Sequence, residues 1–282
     1  MIYTDKQLKV FTNALAKTNN VTTQEVLQNF MFERILFRIS KSKYAKKIIL
    51  KGGLLVSSIS GISSRTTMDM DAMVKGIKLD KEKLVIVLND ILSIDAQDGI
   101  QFELLASEVI REEEEYGGFR FKFQGLLGRL KVSLSIDLST GDIITPDIQD
   151  YPYPMIFEKG YINIKAYPIE TILAEKIQTI LDRNGAKGRM KDYYDVYYFV
   201  TNRLGEINIE VLQRAVQNTF SHRNTLSDLD KAETILVSIS ENEVLRKRWI
   251  DYAKKHEYSK HLRFEDVIET SSQLVIMIQA NN

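Results

Sequence analysis

This sequence predicts an α/β (α+β) fold in which a mixed sheet with flanking helices is followed by a mostly helical lobe, and three observations support that prediction. Apolar residues recur at three- and four-residue intervals over much of the chain, the period of helices with a buried stripe. Short alternating runs near residues 70, 120 and 135 have the two-residue period of strands. Beyond Pro168 the helical period continues without a clear strand. The expected division is a sheet lobe over residues 1–160 and a helical lobe over 161–282.

Taken in order, Val26, Leu27, Phe30, Met31, Ile35 and Leu36 line one face of an amphipathic helix from Thr23 to Ile39, with Thr22 or Thr23 as its N-cap. A strand from Lys47 to Leu50 runs through Lys51-Gly52-Gly53 into a short helix, Leu54 to Ser60, that ends near Gly61. In the segment Ser63 to Val74 the second half has strand character, which turns Asp69 and Asp71 the same way. Asp80 to Leu92 reads as helix, and periodicity leaves Ile100 to Ile110 open, with strand favoured.

Phe119, Phe121 and Phe123 alternate with Arg120, Lys122 and Gln124, and a second alternating run follows Gly125 to Gly128, which is a hairpin pattern. In that second run Val132, Leu134, Ile136 and Leu138 share one face, so Asp137 sits on the polar face with Lys131, Ser133 and Ser135. Pro146, Pro152 and Pro154 mark an irregular connection between Ile144 and Phe157. Pro168 opens a helix that runs to Arg183 and stops at Asn184-Gly185; another covers Arg189 to Asn202. Further helices are expected at Ile209 to Thr219, Asp228 to Ser240, Glu243 to His256 and Phe264 to Ile278.

Composition narrows the chemistry. The chain has 282 residues, 44% hydrophobic and 27% charged, which suits a folded protein of one large or two modest domains. It has no cysteine, which excludes disulfides, thiolate catalysis and cysteine-held metals and points to the cytoplasm. The N-terminus lacks the pattern of a signal peptide, and no apolar run reaches the roughly 20 residues of a membrane span, so no membrane partner is expected. Lys plus Arg and Asp plus Glu both number 38, so any nucleic-acid binding must rest on local patches. Lys187, Arg189, Lys191, Arg246-Lys247-Arg248 and Lys254-Lys255-His256 are such groups, although runs of this kind are usually solvated helix faces. Glu112 to Glu115 reads as a solvated turn, and His222, His256 and His261 have no ligand-like spacing. Tyr193, Tyr194, Tyr197, Tyr198 and Phe199 fit a helix core better than a base-stacking platform.

Carboxylates projecting together from a sheet can hold a divalent metal against a triphosphate, and Asp69, Asp71 and Asp137 meet that need. An Asp-x-Asp pair by itself usually just solvates a loop, so its context decides. Gly52-Gly53 allow close backbone approach at a helix N-terminus suited to phosphate oxygens. Lys51, Arg65, Thr66 and Thr67 could add contacts to the same phosphates.

The order of these features resembles the nucleotidyltransferase superfamily with a polymerase-β-like core. A closer resemblance is to the AbiEii/AbiGii abortive-infection toxin family, carried by Lys51-Gly52-Gly53-Leu54, by Arg65-Thr66-Thr67-Met68-Asp69-Met70-Asp71 and by Ile136-Asp137-Leu138-Ser139-Thr140-Gly141-Asp142. It continues through Tyr167 to Lys176 and Arg189-Met190-Lys191-Asp192-Tyr193-Tyr194-Asp195. The resemblance implies a nucleotidyltransferase-like sheet and a phage-defence toxin paired with a cognate antitoxin encoded nearby. It also implies Mg2+ or Mn2+, a nucleoside triphosphate substrate, and nucleotide transfer to an acceptor that in some relatives is the acceptor end of tRNA. Lys176 corresponds to the family's Ala-Glu-Lys lysine, and Asp192 or Asp195 to its Asp-x-x-Asp block, whose spacing puts both carboxylates on one helix face. Lys176 would hold a triphosphate oxygen and an aspartate would orient it, against the plainer reading of an interhelical ion pair. The expected site is a cleft between the lobes where Gly52, Gly53, Asp69, Asp71 and Asp137 meet Lys176 and Asp195. Two other readings stand beside nucleotidyl transfer: kinase-like phosphoryl transfer to a protein partner, and a nucleotide-binding interaction module without turnover.

Overall fold

Register and alternation build a seven-stranded sheet in the computed structural model, which describes residues 3–110, 117–184 and 188–280. The Glu112–Glu115 run, Gly185 and Lys187 lie outside the described residues. The chain divides into a first unit, Met1–Asp142 with Gln149–Ala166, and a second, Ile143–Ile148 with Tyr167–Asn282.

In the first unit the elements run α1 (Asp5–Asn19), α2 (Thr23–Lys41), β1 (Ile48–Lys51), α3 (Gly52–Ser60), β2 (Met70–Val74) and α4 (Lys81–Leu92). They continue with β3 (Gln101–Ile110), β4 (Gly118–Leu127), β5 (Leu130–Ser139), β6 (Gln149–Pro154) and β7 (Tyr161–Ala166). The strand order is β3-β4-β5-β2-β1-β7-β6. β2 pairs with β5, and β1 with β7, in parallel; the remaining pairs are antiparallel.

Helix α2 starts where Thr22 and Glu25 close a capping box. The sequence suggests one core face, but the helix is buried nearly all round, and the charges on its other faces have internal partners. Arg38 donates to both oxygens of Asp98 at 2.9 and 2.8 Å and to the Ile100 carbonyl at 2.8 Å, which fixes the entry into β3. Glu33 accepts from Arg34, and burial pushes its carboxyl above the ordinary value against the opposing pull of that guanidinium.

Further local expectations are corrected, and one helix is added to those expected. α1, capped by Thr4 and Gln7, has only Leu8, Thr12 and Ala16 buried, too sparse a stripe to read from periodicity. β4 runs on to Leu127, and the hairpin turns at Gly128-Arg129 rather than from Gly125. The proline-rich connection contains β6, which tolerates Pro152 and Pro154 because it is an edge strand. β7 carries Ile49↔Lys165 and Leu50↔Ala166 pairs with β1, so residues 161–166 belong to the sheet unit and not to a lobe that begins at 161.

The second unit contains α5 (Ile169–Asp182), α6 (Met190–Asn202), α7 (Ile209–His222), α8 (Leu226–Asp230), α9 (Ala232–Ser240), α10 (Glu243–Lys255) and α11 (Phe264–Gln279). The expected helix from Asp228 to Ser240 is broken at Lys231. Residues 143–148 join this unit through Thr145, whose N–H and C=O both bond Thr171 Oγ1 at 2.9 Å while its hydroxyl accepts from Asn218 at 2.9 Å. Tyr193, Tyr194 and Phe199 pack in its core with Phe220, Trp249 and Phe264. Among the described residues no helix is long and apolar enough to cross a membrane.

The Arg38–Asp98 pair gives a stability test. Asp98→Ala leaves a buried guanidinium without its carboxylate and is expected to destabilise the protein by about 3–5 kcal/mol, measured by urea unfolding.

Candidate active site

Residues directly opposite one another on paired strands project to the same side of a sheet. Asp71 of β2 lies opposite Lys51 of β1 and opposite Asp137 of β5, and Asp137 lies opposite Arg120 of β4. The result is a row across four strands, Arg120, Asp137, Asp71, Lys51, whose charges run from cation through two anions to cation. Neighbouring strands are about 4.8 Å apart, so Asp71 and Asp137 are side by side.

The two ends of the row are ion-paired. Arg120 Nε and Nη2 donate to Asp137 Oδ1 and Oδ2, each at 2.7 Å, with the arginine 36% exposed and the aspartate 11%. The hydrogen bond to Asp137 holds the guanidinium well above its ordinary value; burial opposes this, and the charges of Asp137 and Asp69 add to it. At the other end, the buried Lys51 ammonium donates to Asp142, which also accepts from Ser139 Oγ at 3.5 Å.

Beside the row, the first residues of α3 are glycine for two different steric reasons. Gly52 has φ +66°, and a Cβ there would meet Asp71 Oδ2 at 2.2 Å. At Gly53 a Cβ would lie 2.6 Å from Thr67 Oγ1. The Asp71 carboxylate therefore rests against the backbone at the start of α3.

Arg65, Thr66 and Thr67, expected at phosphate oxygens, are all buried, and Thr67 Oγ1 and Arg65 Nη2 lie beside Gly53 at the start of α3, 2.6 and 3.6 Å from where a Cβ would stand. The Arg65 guanidinium donates to the Thr66 carbonyl, and Ser57 Oγ donates to the Arg65 carbonyl at 2.6 Å. Thr66 Oγ1 donates to Glu25 at 2.6 Å, and Thr67 Oγ1 to the Asp69 carbonyl at 3.3 Å. This segment braces the half-buried Asp69 just ahead of β2. Lys51 likewise positions its neighbours through Asp142.

Among the described residues no group of three or more His, Cys, Asp or Glu side chains is gathered to hold a metal. Asp71 and Asp137, expected with Asp69 as metal ligands, share a sheet face, and each oxygen of Asp137 accepts one hydrogen bond from Arg120. Asp69 and Asp71 supply hard oxygen donors, which fit Mg2+ or Mn2+ when substrate phosphates provide the remaining ligands. Arg120 and Asp142 are site residues to which the sequence reading gave no role.

In the second unit Lys176 of α5 donates to Asp192 Oδ1 at 2.6 Å and pairs with Asp195 Oδ2 at 2.8 Å, both on α6. The three-residue spacing thus serves both aspartates. Asp192 and Asp195 are almost fully buried, and Arg189 Nε approaches Asp192 Oδ2 at 3.5 Å, too far for a hydrogen bond. Burial and the neighbouring Asp192 push the Tyr193 hydroxyl above its ordinary value.

A family model described as "Nucleotidyl transferase AbiEii toxin, Type IV TA system" matches residues 34–270, most of the chain. The chain belongs to the AbiEii nucleotidyl transferase toxin family. Membership brings with it nucleotidyl transfer, a nucleotide substrate and a cognate antitoxin as the family's properties. This AbiEii chain is similar to JHP933 from Helicobacter pylori at 15% identity, covering 92% of each chain with a TM-score of 0.50, a likeness of fold. It is also similar to an antigenic nucleotidyltransferase-like protein from Paracoccidioides brasiliensis at 17% identity, covering 74% of this chain and 92% of that one with a TM-score of 0.39. Among curated proteins none matches.

Two substitutions test the geometry of this AbiEii site. Gly52→Ala is expected to displace Asp71 and lower nucleotidyl transfer on the order of 100-fold. Gly76→Ala, at φ +67° with open space around it, is expected to leave the rate unchanged and lower stability by about 1–2 kcal/mol. In the second unit Lys176→Met removes a cation from two buried carboxylates and is expected to destabilise by about 3–5 kcal/mol, read by thermal unfolding, with Asp195→Asn on top recovering part of the loss.

Proposed function

We propose that this protein transfers a nucleotidyl group from a nucleoside triphosphate to a hydroxyl of RNA, the acceptor end of tRNA being the first candidate. The observation that supports the reading is the in-register row in which Asp71 and Asp137 share a sheet face, with Asp71 resting on Gly52 at the helix start. The acceptor oxygen bonds to the α-phosphorus, the bond from that phosphorus to the bridging oxygen breaks, and pyrophosphate leaves as the acceptor hydroxyl gives up its proton. Mg2+ or Mn2+ held by Asp69 and Asp71 would neutralise triphosphate charge and lower the pKa of the attacking hydroxyl.

The chain's own contribution is placement. The backbone amides at the start of α3 are suited to phosphate oxygens, and the two glycines let those oxygens approach the main chain. The brace from Glu25 through Thr66 and from Thr67 to the Asp69 carbonyl holds the Asp-x-Asp segment in one geometry. Lys176, anchored by Asp192 and Asp195, is assigned to orienting a substrate phosphate. In the cell we place this activity in the cytoplasm, as the toxin of a phage-defence pair restrained by its antitoxin.

Incubation with each α-labelled triphosphate and total RNA tests the reaction. Label is expected in RNA, and an Asp69→Asn/Asp71→Asn variant with an unchanged thermal midpoint is expected to lose transfer on the order of 1000-fold. Transfer of γ-label to protein in place of α-label to RNA, or full activity in the double variant, would overturn the proposal.

A further inference from the structure

The reaction as proposed leaves one member of the row without a task. Arg120 is a permanent cation, because a guanidinium keeps its proton in proteins. It faces the carboxylates directly, whereas the next polar residue along β4, Lys122, pairs outward with Glu108 at 2.9 Å. Each oxygen of Asp137 accepts one arm of the Arg120 fork at 2.7 Å. The pair is preset by the hairpin, since Arg120 and Asp137 are direct cross-strand partners.

Without that fork, Asp137 would open a third carboxylate beside Asp71, one strand spacing away. Divalent affinity follows the number of charged oxygen ligands, and three carboxylates bind a free ion far better than two. Two carboxylates leave most positions of Mg2+ to water or to phosphate. The arginine therefore sets how many anions the site offers an ion that arrives alone.

We propose that Arg120 is a resident counter-ion that occupies Asp137 and keeps it from divalent metal, so that the site takes up metal only together with the phosphates of a nucleotide. The inference rests on Asp69 and Asp71 being the metal-holding pair. It makes Asp137 a positioning residue, acting through Arg120, and not a metal ligand.

The test is Mn2+ binding by the full chain, measured by equilibrium dialysis with and without a non-hydrolysable triphosphate analogue. Wild-type protein is expected to retain Mn2+ weakly alone and at least about tenfold more tightly with the analogue, as phosphate oxygens complete the ligand set. Arg120→Gln is expected to bind Mn2+ about tenfold more tightly than wild type without nucleotide, through the freed carboxylate. Arg120→Gln combined with Asp137→Asn is expected to return to the wild-type value, and Lys122→Gln to stay there throughout.

No gain in Arg120→Gln, or a gain that survives in the double variant, would overturn the proposal. Should Arg120→Gln fail to fold by circular dichroism, the wild type alone decides: equal Mn2+ affinity with and without the analogue overturns it. Wild-type protein that retains no Mn2+ even with the analogue would overturn the metal-dependent transfer reading as well. Retention with the analogue but no gain in the variant would sink the Arg120 inference alone.

Discussion

The parallel pairing of β2 with β5 is the constraint on which the site depends. A slip of one residue in either strand would swap the faces of every side chain, sending Asp137 into the core and Ile136 out of it. What prevents the slip is apolar burial: Met70, Ala72 and Val74 on one strand and Val132, Leu134, Ile136 and Leu138 on the other are all buried. The chemistry on the polar face is thus positioned by the hydrophobic pattern on the opposite one.

Internal ion pairs do the rest of the positioning. Arg38 with Asp98, Lys51 with Asp142 and Lys176 with Asp192 and Asp195 all lie largely out of water. Such pairs add little net stability compared with apolar packing, but losing one partner is expensive, so each locks a single geometry. Within the first unit they mark the strand end before Gly52 and the helix across the sheet, and within the second the face of α6.

Much of this was legible in the chain. The helices with dense apolar stripes, the glycine turn after β1 and the alternation around Asp137 stand as the periodicities suggest, while β2 starts at Met70, one residue after Asp69. Sparse signals were not readable: α1 buries too few residues, and the prolines of β6 hid a strand that edge position makes permissible. Arg120 was missed for a geometric reason. With the turn placed at Gly125 its partner cannot be counted, but once Gly128-Arg129 closes the hairpin, counting back from Leu127 and Leu130 brings Arg120 opposite Asp137. Arg65, Thr66 and Thr67 have the right chemistry for phosphate, and their burial is something no local pattern encodes.

Pro152 and Pro154 have a consequence at the margin of the sheet. Two residues apart on an outermost strand, both direct their missing N–H positions to the same outward side. That margin cannot donate the regular ladder that a foreign or sibling strand would need in order to dock, so it is protected against runaway self-templating. A chain whose activity is toxic, and which waits with a neutraliser, gains from a border that resists recruitment into aggregates.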